Sequence, residues 1–152
     1  MSNIRAIICI GISASGKTTW AREKLASDPE NWAIVSRDDI RTDLQGGTLD
    51  WSKWNWKDED KVTVNHCLAL RQARDSNKNI IVADTNLKQK TISDLSTRLR
   101  ALGYDIEYKI FDIDGDEAIL RDKLRGSLSV GQSVIQKQIE SFKNLKASFS
   151  KM

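Results

Sequence analysis

"GISASGKT" (11–18) sets two glycines around four residues and follows them at once with a lysine and a threonine. Gly11, Gly16, Lys17 and Thr18 match the pattern G-x-x-x-x-G-K-[ST] in full. Glycines let backbone N–H groups turn inward onto phosphate oxygens, so Ser13, Ala14 and Ser15 form the floor of a cradle. A helix opening at Lys17 adds the positive end of its dipole, with Thr19 in its first turn. The lysine suits the β- and γ-phosphates of ATP, and the Thr18 hydroxyl suits the Mg²⁺ that bridges them. A turn merely rich in small residues is the plainer alternative, but this stretch lies where a phosphate loop belongs, between an apolar run and a helical one. The loop by itself does not say whether the nucleotide is a switch or a phosphoryl donor.

Working outward, "AIICIGI" (6–12) is too short for a helix, is stopped by glycine, and reads as a buried strand. Residues 17–26 carry Trp20, Ala21 and Leu25 at helical spacing before Pro29 ends the pattern. Strand-like runs recur at 31–36, 79–86 and 105–113, and helical ones at 37–44, 57–77, 91–102, 116–126 and 133–145. The 57–77 helix has Val62, Leu68 and Leu70 among its apolar positions, and Gly103 is a stop for the 91–102 helix. Such alternation predicts an α/β fold with a mostly parallel sheet of about four to five strands flanked by helices. Ligands of such sheets sit beyond the strands' carboxyl ends, which singles out the residues after 12, 35 and 83.

The chain has 152 residues, 39% of them hydrophobic and 30% charged, with one proline; this fits one globular domain spanning 1–152. A net charge of +3 permits an anionic partner without demanding one. Cys9 lies in a strand pattern and Cys67 in a helical one, so both read as reduced residues rather than a disulfide. With no cleavage pattern at the start and no apolar run of membrane-spanning length, a soluble cytoplasmic protein is expected.

The N-K-x-D motif of guanine-nucleotide switches does not occur, and "IIVAD" (80–84) only resembles the acid-terminated strand of a motor ATPase. "SRDDIRT" (36–42) instead places two carboxylates at a strand's carboxyl end. A phosphoryl transferase needs a carboxylate to orient an acceptor hydroxyl and receive its proton. Arg41 lies three residues after Asp38, so on a helix the two share a face. A carboxylate for the hydroxyl beside a guanidinium for a phosphate suits an acceptor that is already a phosphate ester. Helix capping is the alternative role for Asp38 and Asp39.

These features, taken with "TTWARE" (18–23), "RDDIR" (37–41), "DTNL" (84–87), "FD" (111–112), and Arg121 and Arg125 before Gly126, resemble the kinase half of the bacteriophage polynucleotide kinase–phosphatase family. The likeness runs over residues 4 to 145 in order and spacing. It implies a P-loop kinase with a helical lid that moves the γ-phosphate of ATP to the 5′-hydroxyl end of DNA or RNA. By this resemblance Asp38 is the general base, Arg41 contacts the substrate phosphate, and Arg125 clasps the ATP phosphates from the lid. Arg121, one turn earlier, either joins Arg125 at the nucleotide or pairs with a surface acid. Asp84 and Asn86 fall on the acceptor side; Asp84 could hold Arg41, order a metal-bound water, or simply end its strand.

"DIDGDE" (112–117) imitates the phosphatase nucleophile loop through Asp112, Asp114 and Gly115. Fewer than 40 residues follow it, and its glycine is misplaced for a calcium loop, so an ordinary strand-to-helix turn and no phosphatase half are expected. Trp51, Trp54 and Trp56 lie in the irregular 45–56 stretch, either to stack on unpaired bases or to tie the loop down as an apolar cluster. Trp20 fits a core position, His66 a helix surface or half-buried one, and Lys137, Lys143 and Lys146 a solvated face. The rival functions are a small P-loop kinase for a metabolite, nucleoside or nucleotide, and a nucleotide-binding interaction module. Oligomeric state is left open.

Overall fold

The computed structural model describes residues 3–149. Four strands, β1 (Arg5–Ile10), β2 (Trp32–Val35), β3 (Asn79–Val82) and β4 (Asp105–Ile110), form one sheet in the order β2-β3-β1-β4. Every pairing is parallel, with Ile8 of β1 level with Val82 of β3 and Tyr108 of β4. Parallel strands need crossover connections, which are supplied by α1 (Lys17–Ser27), the pair α2 (Arg37–Leu44) and α3 (Glu59–Asp75), and α4 (Gln89–Ala101). Two further helices, α5 (Gly115–Lys123) and α6 (Gln132–Phe149), follow β4. This is the α/β architecture expected from the alternation.

Strand alternation divides the core between the two sheet faces. Ala6, Ile8 and Ile10 of β1 face one side, with Val82, Leu70, Leu95, Leu99, Ile135 and Leu145 in the same cluster. Ile7 and Cys9 face the other, packed with Ala21 of α1, Trp32 and Ile81. Trp20 packs at the edge of this second cluster, its ring 5.8 Å from Phe111 in an edge-on contact. Cys9 is buried, Cys67 is half-buried, and both are free thiols. Burial pushes the Cys9 thiol up to about 12, so it stays protonated. Among the described residues no helix is long and apolar enough to cross a membrane.

Three expectations are corrected. The 79–86 run is a strand only to Val82; the Ala83 N–H still donates to Val35 O at 3.1 Å, but Asn86, with φ of 49°, lies outside extended geometry. The buried stripe of α3 is Val62, His66, Leu70 and Ala73, at intervals of three and four residues. Leu68 falls on the opposite side and is 51% exposed, whereas His66, expected at the helix surface or half-buried, is buried at 7%. The 112–117 stretch is an ordinary turn in which Asp114 caps α5 by accepting from the Glu117 N–H at 3.2 Å.

The end of α5 is held by one carboxylate that the sequence did not single out. Asp122, 1% exposed, accepts from Ser129 Oγ at 2.6 Å and from the Val130 and Gly131 N–H groups, both at 3.0 Å. Arg125 Nη1 approaches the same carboxylate at 3.4 Å. Burial works to raise the pKa of Asp122, but these donors outweigh it and hold the carboxyl below its ordinary value. A depressed carboxylate stabilises the fold above the unfolded-state pKa of about 3.9 and ceases to do so as pH falls through the lower folded value. Asp122→Ala, which strands two half-buried N–H groups and a hydroxyl, is expected to cost about 1–3 kcal/mol in urea unfolding. That difference from the unaltered chain should shrink when the titration is repeated at progressively acid pH.

Candidate active site

The phosphate loop runs from the end of β1 into α1 and is shaped by two glycines for different reasons. Gly11 has no room for a side chain: a Cβ there would lie 2.9 Å from Phe111 Cβ and from Ser15 Oγ. Gly16 caps α1 with φ of 99°, a left-handed conformation that side chains disfavour. Ala14 adopts a φ of 61°, so the chain reverses hand within the cradle. The Gly11 N–H donates to Thr85 O at 3.0 Å, which fastens the loop to the turn after β3.

Two of the loop's donors, the Lys17 ammonium and the Ser13 N–H, are satisfied from within the chain. Lys17, 7% exposed, donates through Nζ to Gly11 O at 2.9 Å, Ile12 O at 2.5 Å and Ser15 Oγ at 3.2 Å. The Ser13 N–H donates to Gln138 Oε1 of α6 at 2.8 Å, the place of an acceptor that a phosphate oxygen could take. Burial pushes Lys17 down to about 8; Arg125 adds to that, while Asp84 and Asp38 oppose it. These charges therefore converge on one ammonium. Thr18 and Thr19 are exposed, and the Thr18 hydroxyl has no partner among the described residues.

Across the sheet's carboxyl edge, α2 presents the second cluster. Neither Asp38 nor Asp39 caps it; Ser36 does, its hydroxyl accepting from the Asp39 N–H at 3.3 Å. Asp39 points toward Arg22 of α1 at 4.0 Å, away from Asp38's partners. Arg41 Nη1 donates to Asp38 Oδ1 at 2.6 Å, the shared face expected from their spacing. Asp38 Oδ2 has no partner among the described residues, and the side chain is 47% exposed.

Arg41 is also gripped by Glu59, through Nε at 3.2 Å to Oε2 and through Nη2 to Oε1. Glu59 further accepts from Arg37 Nη2 at 3.1 Å and from Trp54 Nε1 at 3.0 Å. Burial works to raise the Glu59 pKa, yet the Arg41 and Arg37 donors hold it below its ordinary value. No local sequence signal announces Glu59, which sits 18 positions from Arg41. Only the rule that a buried guanidinium needs a carboxylate points to such a residue.

Asp84 does not reach Arg41. Its Oδ1 accepts from the Arg37 N–H at 2.7 Å, and its Oδ2 meets His66 Nε2 at 2.9 Å. Asn86, with φ of 49°, is buried and donates to Cys9 O at 2.7 Å and Asp84 O at 3.4 Å, so its amide braces the strand ends. On the lid, Arg121 pairs with Glu117 at 2.7 Å on an exposed face, one of its two expected roles. Arg125 is 28% exposed and held by Asp122. The three tryptophans divide: Trp54 is buried with Leu49 and Val62, Trp51 is partly buried against them, and Trp56 is 66% exposed. Lys146 meets Asp112 at 3.3 Å. Among the described residues no cluster of three His, Cys, Asp or Glu could hold a metal. A Mg²⁺ bound through one hydroxyl and substrate phosphates needs none.

A phosphate loop at the end of a central strand of an all-parallel sheet flanked by helices is the layout of the P-loop kinase fold. The chain belongs to the AAA domain family, whose model matches residues 7–150. It is 24% identical to a protein of Autographa californica nuclear polyhedrosis virus assigned as a bifunctional polynucleotide kinase/RNA ligase, over 93% of this chain and 21% of that one. It matches a chain of the Pnkp1/Rnl/Hen1 RNA repair complex with a TM-score of 0.81 at 24% identity, over 97% of this chain and 47% of that one. A gluconokinase from Sinorhizobium meliloti 1021 matches with a TM-score of 0.57 at 16% identity, over 93% of this chain and 76% of that one. The chain thus spans about a fifth of the curated relative and about half of the repair-complex chain.

Two outcomes test the loop. Since Lys17 loses its proton near pH 8, nucleotide affinity should hold below that value and fall by up to about tenfold per pH unit above it. Calorimetric titration with ATP from pH 7 to 10 would show this, and the dependence should vanish in Lys17→Met. Gln138→Ala, which frees the Ser13 amide, should tighten ATP binding about two- to tenfold, one hydrogen bond's net worth. A weaker affinity would instead make Gln138 a nucleotide contact.

Proposed function

We propose that this chain is an ATP-dependent polynucleotide 5′-hydroxyl kinase of the kind found in the bacteriophage polynucleotide kinase–phosphatase family. In this reading residues 1–152 form one kinase domain that acts on DNA or RNA ends in the cytoplasm, where free thiols persist. The observation that carries it is the Asp38–Arg41 pair, set across the sheet edge from the phosphate loop. The polynucleotide kinase named for the viral relative and the RNA repair named for the matching complex support the choice of acceptor.

In the proposed reaction the loop amides from Ser13 to Gly16, with Lys17 and Thr19, hold the ATP phosphates. Lys17 leaves its own carbonyls for the β- and γ-phosphates, and Gln138 gives up the Ser13 amide. The free Oδ2 of Asp38 accepts the proton of the 5′-hydroxyl as its oxygen bonds to the γ-phosphorus. The bond from that phosphorus to the β,γ-bridging oxygen breaks, and ADP leaves. Arg41 has five N–H donors and spends three on Asp38 and Glu59, leaving two for the phosphate after the terminal nucleoside. Arg125 lies near enough to Lys17 to alter its charge state, and from there it offsets the charge that develops in transfer. Mg²⁺, held by the Thr18 hydroxyl and the phosphates, would neutralise charge on the transferring group. Asp84 and Asn86 serve this site by positioning rather than by contact.

Labelled ATP and Mg²⁺ incubated with a 5′-hydroxyl oligonucleotide should yield a labelled 5′ end. Asp38→Asn keeps the acceptor oxygen for Arg41 but cannot take the proton, and should lower kcat about 10²–10⁴-fold. The gluconokinase likeness favours a small polyol acceptor as the rival. Transfer to such an acceptor and none to the oligonucleotide would establish that rival.

A further inference from the structure

Trp56 is a large indole left 66% exposed on a polar surface. It is not loose. Its ring lies on that of Trp51, centroids 5.9 Å apart and planes 24° from parallel. Trp51 in turn lies against the Arg41 guanidinium, 4.9 Å from its ring centre. The run is therefore Asp38, Arg41, Trp51, Trp56, beginning at the proposed base and ending on an open aromatic face.

The segment is built to hold that face still. Asp50 and Asn55 each cap a short 3-10 turn, accepting from the Ser52 and Lys57 N–H groups at 3.0 Å. Leu49 and Trp54 anchor it in a buried cluster. Trp54 also binds Glu59 and has the role of a packing residue. Trp51 keeps its Nε1 buried without a hydrogen bond among the described residues, a cost that a residue kept only for packing would avoid by being phenylalanine. Lys53 and Lys57, both exposed, lie three residues before and one after Trp56 in a stretch that also carries Asp50, Asp58 and Asp60, so the ring stands among charged residues rather than in an apolar protein face.

We infer that the open face of Trp56, backed by Trp51 and Arg41, stacks an unpaired nucleobase of the acceptor strand, that of the second nucleotide from the 5′ end. This rests on the polynucleotide kinase reading above. The register follows from order: if Asp38 meets the 5′-hydroxyl and Arg41 the next phosphate, the tryptophans lie beyond that phosphate. Every base has a π-face, so the subsite selects for an unpaired end and not for a base identity. A base paired in a duplex could not offer its face to the ring.

Steady-state kinetics on a single-stranded 5′-hydroxyl oligonucleotide test it, with folding checked by circular dichroism. Trp56→Ala should raise the oligonucleotide KM about 5- to 150-fold, the range for loss of one stacked base, and Trp56→Phe should restore most of it. Removing the base of the second nucleotide should raise KM for the unaltered chain but add nothing in Trp56→Ala. Removing the first base should leave the Trp56→Ala penalty in place. An unchanged KM in Trp56→Ala, or a penalty that persists on the second-position abasic strand, overturns the subsite while the kinase reading stands. No transfer to any polynucleotide by the unaltered chain overturns that reading and the subsite with it.

Discussion

The turn that follows β3 holds the two halves of the site together. In three consecutive residues Asp84 accepts the Arg37 N–H at the start of α2, Thr85 accepts the Gly11 N–H, and Asn86 donates to Cys9 O. The phosphate loop, the acceptor helix and the central strand are thus tied to one short segment. Each bond lies in or near the buried core, where a lost partner costs about 1–3 kcal/mol for the group stranded. The left-handed Asn86, usually a tolerated oddity, is what lets the chain point all three groups to different neighbours. Asp84 also explains the one polar member of the α3 stripe, since His66 reaches it and is satisfied there.

The fold was largely legible because its signal is local. Short β-branched runs stopped by glycine or polar residues mark strands, and α2 spans 37–44 as its spacing suggests. The phosphate loop and the Asp38–Arg41 pair were legible too, since both are set by separations of a few residues. What was not legible depends on partners brought together by the fold. Glu59, Asp122 and Gln138 carry no motif, and each answers a demand made elsewhere: a buried guanidinium, a chain of unpaired amides, an open loop N–H. His66 was misplaced for a related reason. The helical stripe through Val62 and Leu70 points it inward, but its partner Asp84 lies 18 positions away, beyond any local spacing. Leu68 was the converse error, apolar but on the wrong face.

A common pattern runs through the site: four of the groups suited to phosphate are occupied by acceptors from the chain itself. Lys17 rests on loop carbonyls, the Ser13 amide on Gln138, Arg41 on Glu59 and Asp38, and Arg125 on Asp122. Such pairing keeps cations at fixed positions although they repel one another, a repulsion by which Arg125 adds to the lowering that burial imposes on Lys17. It also makes phosphate binding an exchange of partners, so that the net affinity is smaller than the number of contacts suggests. The compensation is geometry. Groups already aligned by internal partners need little reorganisation when charge develops on a transferring phosphoryl group.

The exchange is not uniform across the site. Lys17 and Ser13 hold only neutral oxygens, which a phosphate displaces without stranding a charge. Arg41 and Arg125 hold carboxylates, and displacing either would take a cationic partner from a buried or half-buried anion. Arg41 is therefore constrained to add a phosphate to its existing partners rather than to swap them, and it keeps two N–H donors with which to do so. Glu59 fixes where those donors point, Trp51 covers the guanidinium face, and Trp56 extends that surface outward. The phosphate loop thus holds partners that a ligand can exchange, while the Arg41 cluster is a fixed wall of interlocked charges and rings.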